Sequence, residues 1–271
     1  MNLIGDTLCQ SPALRQYRAS HPDEEIHWLI QEDANRDFFE RMSETSVCDQ
    51  VLFDSDWDRI RQMDYPGYKK QFLMDVNVAF AIGRSEHIHI AQAYGRMIGV
   101  DVRPNEILPT VPAWEADSFH LGIPPRCLVI SPQSTSNCPI DDFAGNKNLP
   151  WNAWPALIDR FVAAGRVDNY VILLRESDPT PSVPLCVLRF SLGVAASYIG
   201  KACAEGGAYC GVDNGITHIA AGMGVSTFCI YPECLEEGWA GYSQFPHYKI
   251  AQTIPWQGKI GSIWDCWKGR L

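Results

Sequence analysis

Short apolar runs alternate with longer amphipathic stretches along most of the chain. This alternation is typical of parallel sheets covered by helices, and it predicts an α/β fold. In the first half it predicts strands at 25–30, 50–53 and 72–76, and helices over 8–20, 34–42 and 86–99. In the second half it predicts strands at 127–131, 170–174, 187–190, 208–212 and 227–231, and helices over 151–164, 194–205 and 215–223.

The stretch 100–125 has little periodicity and holds five of the 18 prolines, which is typical of a passage between domains. We place the boundary near residue 120, so that residues 1–120 and 121–255 each form a domain. A length of 271 residues suits two such domains. Residues 256–271 are expected to form a terminal segment that packs back on the first domain.

Charge and cysteine usage narrow the function classes. A formal net charge of −10 disfavours nucleic acid or anionic lipid as a broad electrostatic partner. No apolar run is long enough to span a bilayer and no leader pattern opens the chain, so we expect a cytoplasmic protein. None of the ten cysteines forms a C-x-x-C pair, which favours free buried thiols. No spacing typical of metal ligands is present, and we expect neither metal nor cofactor.

The start of the chain has two notable features, a first strand that is predicted to be short or missing and a candidate catalytic carboxylate. Residues 1–4 leave almost no room for a strand before Gly5 and Asp6, so the first strand of the first domain is predicted to be short or missing. Asp6 is expected in a glycine turn at the head of a helix. An aspartate there serves either as an ordinary helix cap or as a general base.

The strongest local signal is the stretch 212–225, in which a strand ends, a polar turn follows and a helix of small residues begins. Its candidate ligand-binding residues are Asp213, Asn214, Gly215, Ile216, Thr217 and His218. The N-terminus of such a helix attracts an anion, and Thr217 and His218 in its first turn could donate to phosphate oxygens. The alternative is that Asp213 or Asn214 only caps the helix and His218 is structural.

Three other loops follow neighbouring predicted strands. Ser131 and Ser134 lie after the first strand of the second half, Lys147 stands a little further on, and Glu176, or equally Asp178, ends another strand. Ligands of parallel sheets bind at the carboxyl ends of the strands, so these residues are expected to converge on the turn at Gly215.

The chain resembles glycosyltransferase family 9, the ADP-heptose lipopolysaccharide heptosyltransferases and their relatives. The likeness lies in Gly-Asp-Thr-Leu at 5–8, Ser-Pro-Ala-Leu-Arg at 11–15, His-Pro-Asp-Glu-Glu-Ile at 21–26, and the stretch 213–227. It implies a GT-B fold, in which two Rossmann-like, doubly wound domains face each other across a cleft. The first domain would bind the acceptor and the second a nucleotide sugar.

The resemblance also implies the chemistry, namely transfer of a sugar with inversion and without a metal. It identifies Asp6 as the general base and residues 215–218 as the grip on the donor diphosphate. Lys147 and the Ser131–Ser134 loop match a second phosphate contact. The implied partners are a nucleoside-diphosphate sugar, ADP-heptose first, and a glycan or lipid-linked acceptor that could bring peripheral contact with a membrane.

Two other functions stay open. A catalytically silent protein of the same fold could keep the nucleotide or sugar-phosphate site and lack the base. Another Rossmann enzyme, such as an oxidoreductase or methyltransferase, is less favoured, because no G-x-G-x-x-G fingerprint follows a strand.

Overall fold

The structure is a computed structural model that describes residues 4–31, 35–113, 124–134, 148–175, 178, 181, 186–189, 191–232 and 241–253. Over 250–253 only the backbone is described. The chain forms two compact units: the first runs to Ala113 and includes Gly241, and the second takes the remaining residues after Ala113. Residues 114–123 and 254–271, where the predicted domain boundary and the terminal segment lie, are outside the described residues.

The first unit consists of helices around a small parallel sheet. Its helices are α1 (Ile4–Leu8), α2 (Ser11–Ser20), α3 (Arg36–Glu40), α4 (Trp57–Gln62), α5 (Val76–Glu86) and α6 (Ile90–Ile98), with 3-10 turns at Arg41–Glu44 and Pro104–Glu106. Its described strands are β1 (His27–Gln31) and β2 (Gln50–Asp54), which pair in parallel with His27 opposite Gln50.

The second unit is a parallel sheet with helices between its strands. Its strands are β3 (Cys127–Ser131), β4 (Asn169–Leu174), β5 (Val187–Arg189), β6 (Ala208–Val212), β7 (Thr227–Pro232) and β8 (Tyr248–Thr253). Its helices are α7 (Ala153–Ala163), α8 (Leu192–Ala204) and α9 (Gly215–Gly222). The strand order is β5-β4-β3-β6-β7-β8, so β3 and β6 are adjacent central strands, and every pair is parallel.

The two central strands, β3 and β6, lie in the core of the second unit. Every residue of β3 and β6 is buried, as expected for parallel strands covered on both faces. The α7 helix places Trp154 and Phe161 against this sheet, and the Phe161 ring meets Phe228 of β7 edge-on at 5.0 Å between centroids. The carboxyl ends of β3 and β6 are thereby held side by side.

The α/β prediction is confirmed, and the predicted elements of the second unit agree with the structure to within two residues. The first unit differs more. The predicted helix 8–20 corresponds to α2, which begins at Ser11. Gly5 and Asp6 lie inside a separate short helix, α1, so the predicted glycine turn is wrong. Residues 1–3, where a short first strand would lie, are outside the described residues.

The predicted helix 86–99 starts too early, because it corresponds to α6 alone and Glu86 is the last residue of α5. His87 takes a left-handed conformation with φ of 55° and ends α5, and His89 then caps α6 by accepting a hydrogen bond from the Ala91 N–H at 3.1 Å. The predicted strand 72–76 is wrong, because residues 71–75 pair with no described strand and Asp75 instead caps α5. Four elements were not predicted beyond a terminal residue: the helices α1, α4 and α5, and the strand β8.

The proline-rich stretch before Ala113 is tied to α2. The Arg15 guanidinium donates to the carbonyls of Glu106 and Leu108 at 2.6 and 3.2 Å, and to the Thr110 hydroxyl at 2.8 Å. The Ser11 hydroxyl accepts from the Thr110 N–H at 2.8 Å. This part of the chain therefore belongs to the first unit.

Two further sequence predictions can be compared with the structure. The described cysteines are free thiols, and most are buried, with Cys186 exposed and Cys203 half-buried. Among the described residues, no helix has both the length and the apolar character needed to cross a membrane.

Candidate functional site

The turn between β6 and α9 is built around the side chain of Asn214. This residue has extended backbone angles, φ −155° and ψ 176°, and its Oδ1 accepts a hydrogen bond from the Thr217 N–H at 3.0 Å. It is therefore the N-cap of α9, as the sequence alternative proposed. Asp213, before it, is buried at the end of the strand.

The other end of the Asn214 amide joins this turn to the loop after β3. Its Nδ2 donates to the Ser131 hydroxyl and to the Gln133 carbonyl, both at 2.9 Å. The two loops therefore meet, as their position at the carboxyl ends of adjacent parallel strands predicts. Ser131 is itself buried, so its hydroxyl supports the turn.

The start of α9 leaves two backbone N–H groups without an acceptor among the described residues. Within the described part of the chain, the N–H groups of Gly215 and Ile216 have no hydrogen-bond acceptor. Gly215 is half-buried and presents no Cβ. Unpaired N–H groups and the positive end of the helix dipole favour an anion at this position.

Thr217 supports the turn instead of facing a ligand. It is fully buried, and its hydroxyl donates to the Val212 carbonyl at 2.7 Å. Because a hydroxyl has one proton, the Tyr209 hydroxyl, 2.9 Å away, must donate to Thr217 Oγ1. Burial raises the pKa of Tyr209 well above its ordinary value, which keeps this donor protonated. The expectation that the Thr217 side chain donates to phosphate is not met.

His218 is likewise held inside the second unit. Its ring is 9% exposed, its Nδ1 lies 2.7 Å from the Tyr242 hydroxyl, and its Nε2 lies 3.7 Å from Asp213 Oδ1. The Tyr242 ring contacts that of His218 edge-on. A protonated His218 would offset the Asp213 carboxylate, which otherwise repels an anion at Gly215. The geometry thus favours an electrostatic role for His218 over direct contact with phosphate.

The remaining candidates of the second unit are only partly described. The Ser134 backbone is held by Asn148, whose side chain accepts from the Ser134 N–H at 2.6 Å and donates to the Ser134 carbonyl at 3.2 Å. Lys147 and Glu176 lie outside the described residues. The alternative to Glu176, Asp178, is buried and forms an ion pair with Arg175.

Asp6 lies in the first unit, in the single turn of α1, where it is half-buried. It is close to the buried Tyr94 of α6, because its charge is the second cause, after burial, of the raised pKa of Tyr94. The structure therefore places Asp6 beside a buried phenol and not in an open glycine turn.

The sequence reasoning missed three residues that shape the site. Tyr209 and Tyr242 hold Thr217 and His218, and Asn148 closes the loop that begins at Ser134. Tyr209 has one signal in the sequence, a glycine two residues later in the same strand. The structure shows the reason for this glycine, since a Cβ at Gly211 would clash with the Tyr209 hydroxyl. Tyr242 has no local signal, since it reaches the site only through tertiary packing.

Comparisons with known proteins concern the fold. Glycosyl transferase family 9 from Veillonella parvula has 14% identity and a TM-score of 0.63, over 92% of this chain and 83% of that one. The E. coli ADP-heptose lps heptosyltransferase II has 12% identity and a TM-score of 0.63, over 100% and 96%. The E. coli heptosyltransferase WaaC with ADP has 14% identity and a TM-score of 0.59, over 99% and 97%.

No protein-family model matches the chain, and no curated protein matches it. The similarity to the solved glycosyltransferases extends over nearly the whole chain, at identities that establish a shared fold and no more. By its fold, this chain is therefore similar to the glycosyltransferase family 9 heptosyltransferases.

Proposed function

We propose that the protein is an inverting, metal-independent glycosyltransferase that transfers a sugar from a nucleoside-diphosphate donor to an acceptor hydroxyl. The observation that carries this proposal is the pair of open N–H groups at Gly215 and Ile216, at the end of a central parallel strand. The shared fold with heptosyltransferases, one of them solved with ADP, supports the nucleotide class.

The proposed chemistry divides between the two units. In direct displacement, the departing diphosphate gains negative charge, and the N–H groups of Gly215 and Ile216 would stabilise that charge. Asp6 would remove the proton of the acceptor hydroxyl. The α9 dipole adds to the stabilisation without any metal.

The other candidates take supporting roles in this proposal. Asn214 and Ser131 keep the two loops together, Ser134 and Lys147 would contact a second phosphate, and Glu176 would accept from the ribose. The first donor to test is ADP-heptose, because the E. coli protein of similar fold is described as an ADP-heptose heptosyltransferase. The acceptor would be a surface glycan or the lipopolysaccharide core.

Gly215 allows a sharp test of the anion site. Proline is favoured at the first position of a helix, and the extended Asn214 before it suits a following proline. Gly215→Pro should therefore preserve folding while it deletes one N–H, and Gly215→Ala keeps that N–H and adds a Cβ. We expect ADP, titrated by calorimetry, to bind at least about tenfold more weakly to Gly215→Pro.

The comparison of the two variants identifies the cause. If Gly215→Ala weakens ADP less than Gly215→Pro does, the N–H is the essential contact. Equal ADP affinity in the wild type and in a folded Gly215→Pro variant would refute the anion site, and absence of ADP, UDP and GDP binding in the wild type would refute the nucleotide class.

A second candidate function, a catalytically silent nucleotide or sugar-phosphate binder, is favoured by the position of Asp6 inside α1. Asp6→Asn separates the two. A transferase should lose sugar turnover and keep ADP affinity, whereas a silent binder shows no turnover in either form of the protein.

A further inference from the structure

The side chain of Tyr209 runs beneath the carboxyl end of β6. Residues two apart in a strand share a face, so Tyr209 and Gly211 point to the same side of the sheet. The tyrosine fills the space beside Gly211, because a Cβ there would lie 2.9 Å from the Tyr209 Cζ and closer still to its hydroxyl. Gly211 is paired with Ser131, the last residue of β3. The Tyr209 hydroxyl therefore reaches the level at which the two central strands end.

This hydroxyl lies between the two loops that form the candidate site. On the side of α9, Thr217 Oγ1 is 2.9 Å from it. On the side of β3, Ser131 is its second hydrogen-bond partner. Tyr209 is fully buried, so it can act on a ligand only through these two residues.

The protons of these side chains give the hydrogen bonds one direction, because each hydroxyl has a single proton. Thr217 uses its proton on the Val212 carbonyl and therefore accepts from Tyr209. With its proton used on Thr217, the Tyr209 oxygen can only accept from Ser131. The Ser131 oxygen in turn accepts from Asn214 Nδ2 at 2.9 Å. Four side chains thus form a relay of hydrogen bonds from Asn214 to the Val212 carbonyl.

The relay sets the orientation of the Asn214 amide. Because Ser131 gives its proton to Tyr209, its oxygen must face a donor, which is Asn214 Nδ2. The Asn214 oxygen is then directed at the Thr217 N–H, at 3.0 Å. Residues 215–216 lie in the chain between Asn214 and Thr217, and both of these are members of the relay. The direction of the two N–H groups of the anion site therefore depends on it.

We propose that Tyr209 is a positioning residue of the donor site, which holds the N–H groups of Gly215 and Ile216 in the direction that a diphosphate requires. It acts through Thr217 on one side and through Ser131 on the other. This inference rests on the proposed function, the binding of a nucleoside-diphosphate donor, and adds to it a residue that does not touch the ligand.

The hydroxyl of Tyr209, and not its ring, has this role. Phenylalanine would fill nearly the same volume in the core. A buried hydroxyl costs free energy unless its hydrogen bonds are made, and here it makes them with one residue of each loop. Tyr209→Phe therefore interrupts the relay and keeps the packing.

The test compares ligands with and without phosphate in Tyr209→Phe and the wild type. We expect ADP affinity, measured by calorimetry, to fall at least about fivefold, the equivalent of one lost hydrogen bond. Adenosine lacks the diphosphate, so its affinity, measured by NMR titration, should stay unchanged. A general loosening of the second unit would instead weaken both ligands equally.

Two further variants control this comparison. Tyr198→Phe removes the hydroxyl of another buried tyrosine of the second unit, beside Cys127 at the opposite end of β3, and should change neither affinity. Gly211→Ala keeps the Tyr209 hydroxyl but displaces it, because the added Cβ would overlap it. This variant should also weaken ADP more than adenosine, and it decides the matter if Tyr209→Phe does not fold.

The proposal is overturned if Tyr209→Phe binds ADP as tightly as the wild type, or if ADP and adenosine weaken equally. Inorganic pyrophosphate separates this outcome from a failure of the proposed function. If the wild type binds pyrophosphate but none of ADP, UDP and GDP, the nucleotide class fails. Weaker pyrophosphate binding by Tyr209→Phe would then support the positioning role, and equal binding would overturn it. A wild type that binds neither pyrophosphate nor a nucleotide would refute both proposals.

Discussion

Asn214 Nδ2 lies 2.9 Å from the Ser131 hydroxyl, and this contact joins the loops that follow the two central strands of the second unit. The same side chain caps α9 through its oxygen, so one amide uses its acceptor for the helix and its donors for the neighbouring loop. An asparagine suits this position because aspartate offers no donor and serine only one.

Substitution of Asn214 should separate the two contributions of its amide. Asn214→Asp keeps the cap and loses both donors, while it places a negative charge beside the anion site. Asn214→Ala loses the cap as well, at a cost of about 1 kcal/mol in the free energy of unfolding. We expect the aspartate variant to be the more stable and the alanine variant to bind ADP more tightly, as measured by urea unfolding and calorimetry. This division would be contradicted if the variant that is more stable in urea also bound ADP more tightly.

Thr217→Val should destabilise the second unit without removing any group that faces a ligand. The substitution removes the donor to the buried Val212 carbonyl and one of the two partners of the Tyr209 hydroxyl, at a cost of about 1–3 kcal/mol. Thr217→Ser keeps the hydroxyl and should recover most of the loss. The measurement is the urea midpoint of the three proteins, and a valine variant as stable as the wild type would show that the hydroxyl does not hold the turn.

Tyr242→Phe should affect the nucleotide site through His218. It removes the hydroxyl 2.7 Å from His218 Nδ1, so the ring loses the contact that orients it toward Asp213. We expect ADP affinity, measured by calorimetry, to fall several-fold. The control is Tyr248→Phe, which removes another buried tyrosine hydroxyl of the same unit, beside Cys229, and leaves the hydroxyl that contacts His218 in place. Equal ADP affinity for the wild type and Tyr242→Phe would exclude this role.

The stability of the first unit should depend on pH through Asp54. Hydrogen bonds from the Tyr65 hydroxyl, the Asp56 N–H and Arg59 lower the pKa of this carboxyl to about 2. A carboxyl whose pKa is depressed on folding stabilises above its unfolded pKa, about 3.9, and this contribution is lost as the pH falls toward 2. Asp54→Asn should therefore flatten the pH dependence of the melting temperature in that range. A variant with the wild-type dependence would assign the acid sensitivity to other groups.

Most of the second unit could be predicted from its sequence, because each of its elements except β8 has its own local signal. The strand 208–212 is continuously apolar and is followed by a capping residue and a small-residue helix, so pattern and packing agree there. What pattern reasoning could not provide was the use of Thr217 and His218, because their partners Val212, Tyr209 and Tyr242 become neighbours only after folding.

The first unit was less predictable for a physical reason. An apolar stretch such as 72–76 becomes a strand only when a neighbouring strand accepts its hydrogen bonds, and on the side of β1 it meets a cavity. Local capping by Asp75 then starts α5 at Val76. The domain limits, the facing of two domains and the roles of Lys147 and Glu176 stay predictions.

Arg15 attaches the proline-rich stretch to α2, so this stretch differs from a linker. Its guanidinium, whose pKa burial lowers, uses its donors on Glu106, Leu108 and Thr110. A protease that cuts exposed loops should therefore spare residues 106–110 in the wild type, and Arg15→Ala should allow cleavage within them. These side-chain hydrogen bonds make the stretch through Thr110 a structural part of the first unit, so it should unfold together with α2.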